Sequence, residues 1–194
     1  IALTAVIFGT AYNAGLGMPV SIVIALLSGT LCGLFNGILV TQLQIPSIIL
    51  TIGTLTLYRG IAQSLASDFS LGGYPSWFIG IDYRYVGIIP IPVIIFTIFA
   101  IIVGFFLSST IYGKQLYLIG TNPQTAKYSG IKVDRIKLLL FTLSGLVCGI
   151  AGVLTTSRLA VARFNMATGA ELEIVLMVML GGTYIFGGRG NIFG

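Results

Sequence analysis

Few residues of this sequence carry groups that could do chemistry. It contains no histidine, and its two cysteines, Cys32 and Cys148, lie in separate apolar runs beside glycines. A metal site built from cysteine and histidine needs several such ligands, so we predict none. The apolar segments also show no convergent carboxylates and no nucleophile with a nearby base. Of the ten basic residues, five cluster in residues 112–137: Lys114, Lys127, Lys132, Arg135 and Lys137.

The composition indicates a membrane protein. The mean hydropathy is +1.04 and 8% of residues are charged, whereas about a quarter are charged in soluble domains. We predict an all-α polytopic membrane protein, with residues 1–194 as one transmembrane domain. The net charge of +5 comes largely from one loop and does not indicate nucleic-acid binding.

We predict six apolar segments as spanning or half-spanning helices, judged against the ~20 residues that a spanning helix needs. The last segment, 172–187, is interrupted by Gly181-Gly182 and is predicted as a half-helix. The sequence opens inside an apolar run and stops after a glycine-rich turn, so we expect a fragment of a longer chain. The segments are 1–12, 19–43, 46–66, 90–111, 136–157 and 172–187.

Basic residues predict the orientation. Residues 112–137 hold the cluster described above, whereas 67–89 hold Arg84, and 158–171 hold Arg158 and Arg163. Cytoplasmic loops are enriched in Lys and Arg, which places 112–137 inside and the other two segments outside. The external segment is rich in aromatic residues and is predicted as an interfacial belt, a docking surface being the alternative: Tyr74, Trp77, Phe78, Tyr83 and Tyr85.

The cytoplasmic loop contains a short helix signal at 123–129. Thr121 or Asn122 can cap its start, Pro123 suits its first position, and Gly130 suits the left-handed residue after its end. A helix of two turns is marginal alone in water, so we expect a partner to hold it. Its small central residue, Ala126, should then lie close to the partner's surface. The alternative is a capped loop lying on the bilayer.

Two stretches of sequence recur. Residues 27–33 and 143–149 match at five of seven positions, and Gly53-Thr54 with Arg59-Gly60 recurs as Gly182-Thr183 with Arg189-Gly190. The predicted topology gives the two copies opposite directions, as in the inverted repeats of transporters. Chance similarity between glycine-rich helices is the alternative.

Glycines that recur every four residues predict close helix packing. They are Gly29, Gly33 and Gly37 in the first copy of the repeat, and Gly145 and Gly149 in the second. Asn36 beside them is expected to form an interhelical hydrogen bond, or else to face a solute pathway. Arg59 is expected to lock two helices, with solute contact as the alternative. Thr54, Tyr58 and Thr183 complete the set of candidate pathway or locking residues, and Glu171 and Glu173 suit a helix N-terminus.

The chain resembles the permease subunits of bacterial ABC importers of the ribose, rhamnose and autoinducer-2 type, which are related to branched-chain amino-acid permeases. The resemblance is carried by motifs along the whole chain, at residues 35–40, 45–54, 58–60, 120–122, 129–131, 143–145, 169–173, 180–183 and 187–190.

The resemblance implies a multi-pass protein of the bacterial cytoplasmic membrane, importing a sugar-like solute. It implies a second permease subunit, two cytoplasmic ATPase subunits that hold the ATP, and a periplasmic or lipid-anchored solute-binding protein, with no cofactor on this chain. The short helix then becomes the segment that couples to the ATPase, with residues Gly120, Asn122, Pro123, Ala126, Lys127, Tyr128 and Gly130.

Three other functions stay open at this stage. A branched-chain amino-acid permease would share the fold and differ in its solute. A membrane-embedded enzyme would need catalytic groups that the apolar segments lack. A passive channel would have no ATPase partner. The sequence has no P-loop, so transport driven by ATP requires another chain.

Overall fold

The structure is a computed structural model that describes residues 1–67, 69–81, 85–86, 89–184, 187–188 and 190. Tyr83 of the predicted belt, Arg84 of the predicted external segment and Arg189 of the predicted repeat lie outside these residues. The described elements are helices and two short strands: α1 Ala2–Asn13, α2 Met18–Gln42, α3 Ser47–Ala66, α4 Ser76–Ile79, β1 Tyr85–Val86, β2 Ile89–Pro90, α5 Ile91–Ser109, α6 Ile111–Thr121, α7 Pro123–Tyr128, α8 Val133–Leu159 and α9 Ala170–Leu180.

Within the described residues, four helices are long and apolar enough to cross a membrane: α2, α3, α5 and α8. They correspond to four of the predicted segments, and the all-α polytopic class is confirmed. Helix α1 has 12 residues and α9 has 11, which is short of the ~20 that a span needs. In the last predicted segment the helix ends at Leu180, where the Gly181-Gly182 interruption was predicted.

The predicted loop at 112–137 contains a helix that the sequence analysis missed. Helix α6 follows α5 after one extended residue, Thr110, whose hydroxyl donates to the Phe106 carbonyl and accepts from the Gly113 amide. The rings of Phe106 and Tyr112 stack at a centroid distance of 6.3 Å. Gly113 is required at this corner because a side chain there would run into the Leu107 carbonyl. The corner therefore fixes where α6 starts.

The described chain groups into two compact units. The first comprises Ile1–Ile88 and Lys137–Ala167, and the second comprises Ile89–Ile136 and Thr168–Gly194. Helix α8 thus starts in the second unit and continues in the first.

The interior of the first unit is aromatic at one end. Phe8 packs between Tyr74 and Phe78, at centroid distances of 5.4 and 5.2 Å, and Tyr12 contacts Tyr74. Tyr74 and Phe78 are 6% and 1% exposed, so the prediction that they belong to an interfacial belt was wrong. Buried aromatic packing accounts for them better, since they cover the end of α1. Trp77 and Tyr85 are exposed, as the belt requires.

Candidate functional site

Helix α7 begins at the residue that its sequence predicts. The Asn122 carboxamide oxygen accepts from the backbone amides of Gln124 and Thr125 at 3.0 and 3.2 Å. Pro123 occupies the first turn, and Gly130 has a φ of +82°. Of the two cap candidates, the structure therefore selects Asn122. The helix ends at Tyr128, one residue earlier than predicted.

Ala126 does not face outward. It is 4% exposed and packs with Ile119 of α6 and Val133 of α8, with Ile131 and Ile136 beside them. The expectation that Ala126 lies against a partner's surface is therefore wrong. The argument that a partner must hold this short helix is also wrong, because the chain's own apolar cluster holds it.

The exposed face of α7 lies opposite this cluster. Gln124, Thr125, Lys127 and Tyr128 are all exposed, and Tyr128 reaches 91%. The Lys127 ammonium lies 4.0 Å from the Asp134 carboxylate, with both side chains mostly in solvent. Such a pair adds little stability. An aromatic ring so far exposed on a rigid, capped helix is typical of a contact surface.

The glycines predicted to pack do so, between α2 and α8. A methyl group on Gly29 would lie 2.6 Å from the Gly145 carbonyl oxygen. One on Gly33 would meet the Phe141 carbonyl, and one on Gly37 would lie 3.1 Å from the Phe141 Cβ. These contacts pair increasing residue numbers in α2 with decreasing residue numbers in α8, so the two helices are antiparallel. The glycines allow backbone to touch backbone, which side chains would prevent.

The crossing relates the two matched stretches of sequence. Gly29 and Gly33 correspond to Gly145 and Gly149 in the alignment of 27–33 with 143–149. Gly29 contacts Gly145 and Gly149, and Gly145 contacts Gly29 and Gly33. Reciprocal contact of equivalent positions is what a twofold relation produces. This part of the predicted inverted repeat is therefore supported. Its second pair spans both units and stays a prediction.

Asn36 forms the interhelical contact expected of it. The Tyr58 hydroxyl on α3 lies 3.0 Å from the Asn36 carboxamide oxygen and 3.0 Å from the Cys32 carbonyl oxygen, both on α2. A hydroxyl with one hydrogen thus bridges two acceptors. In an apolar surrounding such a bond holds two helices in register.

The other candidate residues lie on α3 or in and just after α9. Thr54 is buried, and its hydroxyl donates to the Thr51 carbonyl. Arg59 is half-buried, and its role as a lock or a solute contact stays a prediction. Thr183 belongs to the second unit. Glu171 accepts from the Gly169 amide at 3.1 Å, so its position at the start of α9 is confirmed.

These features define a class: an all-α membrane protein with a glycine-packed helix pair and a capped helical segment outside its apolar helices. The chain belongs to the family described as branched-chain amino acid transport system / permease component, whose family model matches residues 1–194.

Curated relatives are more specific. The chain is 34% identical over 200 residues to the Autoinducer 2 import system permease protein LsrD of Escherichia coli strain K12, and the same figures hold for Shigella flexneri and for E. coli O157:H7. The match covers 100% of this chain and 61% of each relative. No solved structure matches the chain.

Proposed function

We propose that this chain is part of the transmembrane subunit of an ATP-driven importer for a small sugar-like solute. Its partners are a second permease subunit, two cytoplasmic ATPase subunits and an external solute-binding protein. The permease performs no covalent chemistry. We assign ATP binding to the partner ATPase subunits, and these 194 residues contain no P-loop. The identity to permeases named for autoinducer 2 import supports the class of solute.

The observation that carries the proposal is the exposed face of α7. Ala126 is buried against α6 and α8, and the Asn122 cap fixes the first turn. Lys127 and Tyr128 therefore project from a helix that is already ordered. Binding through a preorganised surface avoids the entropic cost of ordering a loop. Family membership and this surface together indicate the docking site of an ATPase subunit.

A photo-cross-linking amino acid at Tyr128 tests this in membranes of the native host. We expect ultraviolet light to join the full-length protein to a P-loop ATPase, identified by mass spectrometry. The matched control is the same amino acid at Tyr85, which is also well exposed at 66% and is predicted to lie outside the cell. An ATPase adduct from Tyr85, or only lipid adducts from Tyr128, would contradict the assignment of α7.

Import of branched-chain amino acids is the second candidate, because the family description names these solutes. The two functions share a fold and differ in the bound solute. Isothermal titration of the external binding protein with ribose, autoinducer 2 and leucine separates them. We expect binding of a sugar-like compound and none of leucine, and the reverse result would establish the amino-acid function.

A further inference from the structure

A glycine turn after α9 lies directly against the end of α6. The described residues of this turn are Gly187, Gly188 and Gly190. A methyl group on Gly188 would lie 2.7 Å from the Thr121 Cγ2 and 2.9 Å from the Thr121 amide nitrogen. Gly188 has a φ of +79°. Backbone therefore packs on backbone here, and both the space and the dihedral angle require glycine.

The same turn is tied to both neighbouring helices. The Tyr117 hydroxyl of α6 donates to the Gly190 carbonyl at 3.0 Å. On the other side, α9 continues into a hydrogen-bonded turn through Gly182, whose amide donates to the Met179 carbonyl at 3.0 Å. Thr183 follows, and a methyl group added at Gly190 would lie 3.2 Å from the Thr183 Cγ2. Among the described residues, Gly190 thus lies between Thr183, which follows α9, and Tyr117 of α6.

Only Asn122 separates α6 from α7. The Asn122 amide donates to the Leu118 carbonyl at 3.1 Å, which closes α6, and the Asn122 side chain caps α7. Asn122 is therefore both the C-cap of α6 and the N-cap of α7. A displacement of α7 moves the end of α6, and with it the surface on which the glycine turn rests.

We infer that the glycine turn transmits movement between the ATPase-docking helix α7 and the membrane half-helix α9. The inference rests on the proposed function, because it assigns a route to the coupling that α7 begins. Gly188 and Tyr117 act as positioning residues, since they touch α6 and the turn and need not touch the ATPase. Closely packed contacts of this kind transmit displacement because they do not deform continuously.

The test compares two alanine variants with the same backbone strain. Gly188 and Gly15 have φ values of +79° and +84°, but a methyl group on Gly15, which lies between α1 and α2, has nothing within 4 Å. A spin label on α9 at Met177→Cys, with Cys32 and Cys148 changed to Ala, reports on α9 in the purified full-length complex. The signal is measured before and after ATP with vanadate is added.

We expect the ATPase to co-purify with the parent and with both variants. ATP with vanadate should change the Met177 signal in the parent and in Gly15→Ala. In Gly188→Ala the amplitude of this signal change should fall by at least about fivefold, because overpacking weakens the contact that transmits the movement. Tyr117→Phe, which removes one hydrogen bond, should give an intermediate loss and guards against misfolding of Gly188→Ala.

The outcomes separate the two claims. If no ATPase co-purifies with the parent, the proposed function is wrong. If the ATPase binds and Gly188→Ala keeps the full signal, or Gly15→Ala loses as much, the glycine turn is not the route and the inference is overturned. Loss of ATPase binding in Gly188→Ala alone would also overturn it, since the turn would then only shape the docking surface.

Discussion

At the scale of single residues, glycines mark where this chain permits close contact. Gly33 on α2 has the Phe141 carbonyl where its side chain would be, whereas Gly53 on α3 has nothing within 4 Å of that position. The sequence predicted that the α2 glycines pack, because their spacing repeats every helical turn. It could not predict which helix they meet, since that depends on the long-range approach of α8.

Gly33→Ala and Gly53→Ala therefore form a matched pair. We expect Gly33→Ala to lower the free energy of unfolding by about 1–3 kcal/mol, because the new methyl group meets backbone that cannot move aside. Gly53→Ala should be neutral, or stabilising by up to ~1 kcal/mol from helix propensity. Equilibrium unfolding in mixed micelles measures both. Equal losses in the two variants would mean that helix flexibility, not packing, is what glycine provides.

Tyr74 is a buried residue whose hydroxyl has no hydrogen-bond partner among the described residues. Burial, with a smaller contribution from Tyr12, raises the pKa of Tyr74 to about 12. The folded state thus keeps a proton that the unfolded state loses near pH 10, so stability falls as the pH rises above 10.

Tyr74→Phe should remove this dependence on pH. At neutral pH we expect the variant to be as stable as the parent, or more stable by about 1 kcal/mol, since an unpaired buried hydroxyl is costly. Unfolding at pH 7 and pH 11 measures both effects. A loss above ~1 kcal/mol at pH 7 would show that the hydroxyl has a partner outside the described residues.

At the scale of elements, length and hydropathy predicted the four long helices, and capping residues predicted α7. Helix α6 could not be predicted in this way, because residues 111–121 mix aromatic, basic and glycine positions without a clear period. Its start does carry a local signal, since the Thr110 side chain caps it as Asn122 caps α7, but no apolar period follows that cap. Ala126 is buried partly against Ile119 of α6. Missing α6 therefore also led to the wrong expectation that Ala126 faces a partner.

The cap of α7 is open to a direct test. Asn122→Ala removes the acceptor for two backbone amides and should cost about 0.5–2 kcal/mol of local stability. We expect faster amide hydrogen exchange across α7 and weaker binding of the ATPase. Asn122→Asp retains a capping oxygen and should restore both. Failure of Asn122→Asp to rescue would mean that Asn122 has a role besides capping.

At the scale of the whole molecule, the charge pattern predicts which loops face the cytoplasm. Single cysteines at Lys127 and Trp77, with Cys32 and Cys148 changed to Ala, should react with an impermeant maleimide from opposite sides of the membrane. Both positions are exposed, at 70% for the Lys127 side chain and 50% for Trp77. Labelling from the same side would invalidate the orientation and with it the inverted repeat.

The central claim is that this chain helps to drive a solute inward at the expense of ATP. Its most direct test is uptake into proteoliposomes that contain the full-length permease, its ATPase and its binding protein. Labelled autoinducer 2 and ribose are offered on the side where Trp77→Cys reacts. We expect one of them to accumulate above its external concentration only when ATP is present on the Lys127 side. Equilibration of the solute without ATP, as in a passive channel, would contradict the account.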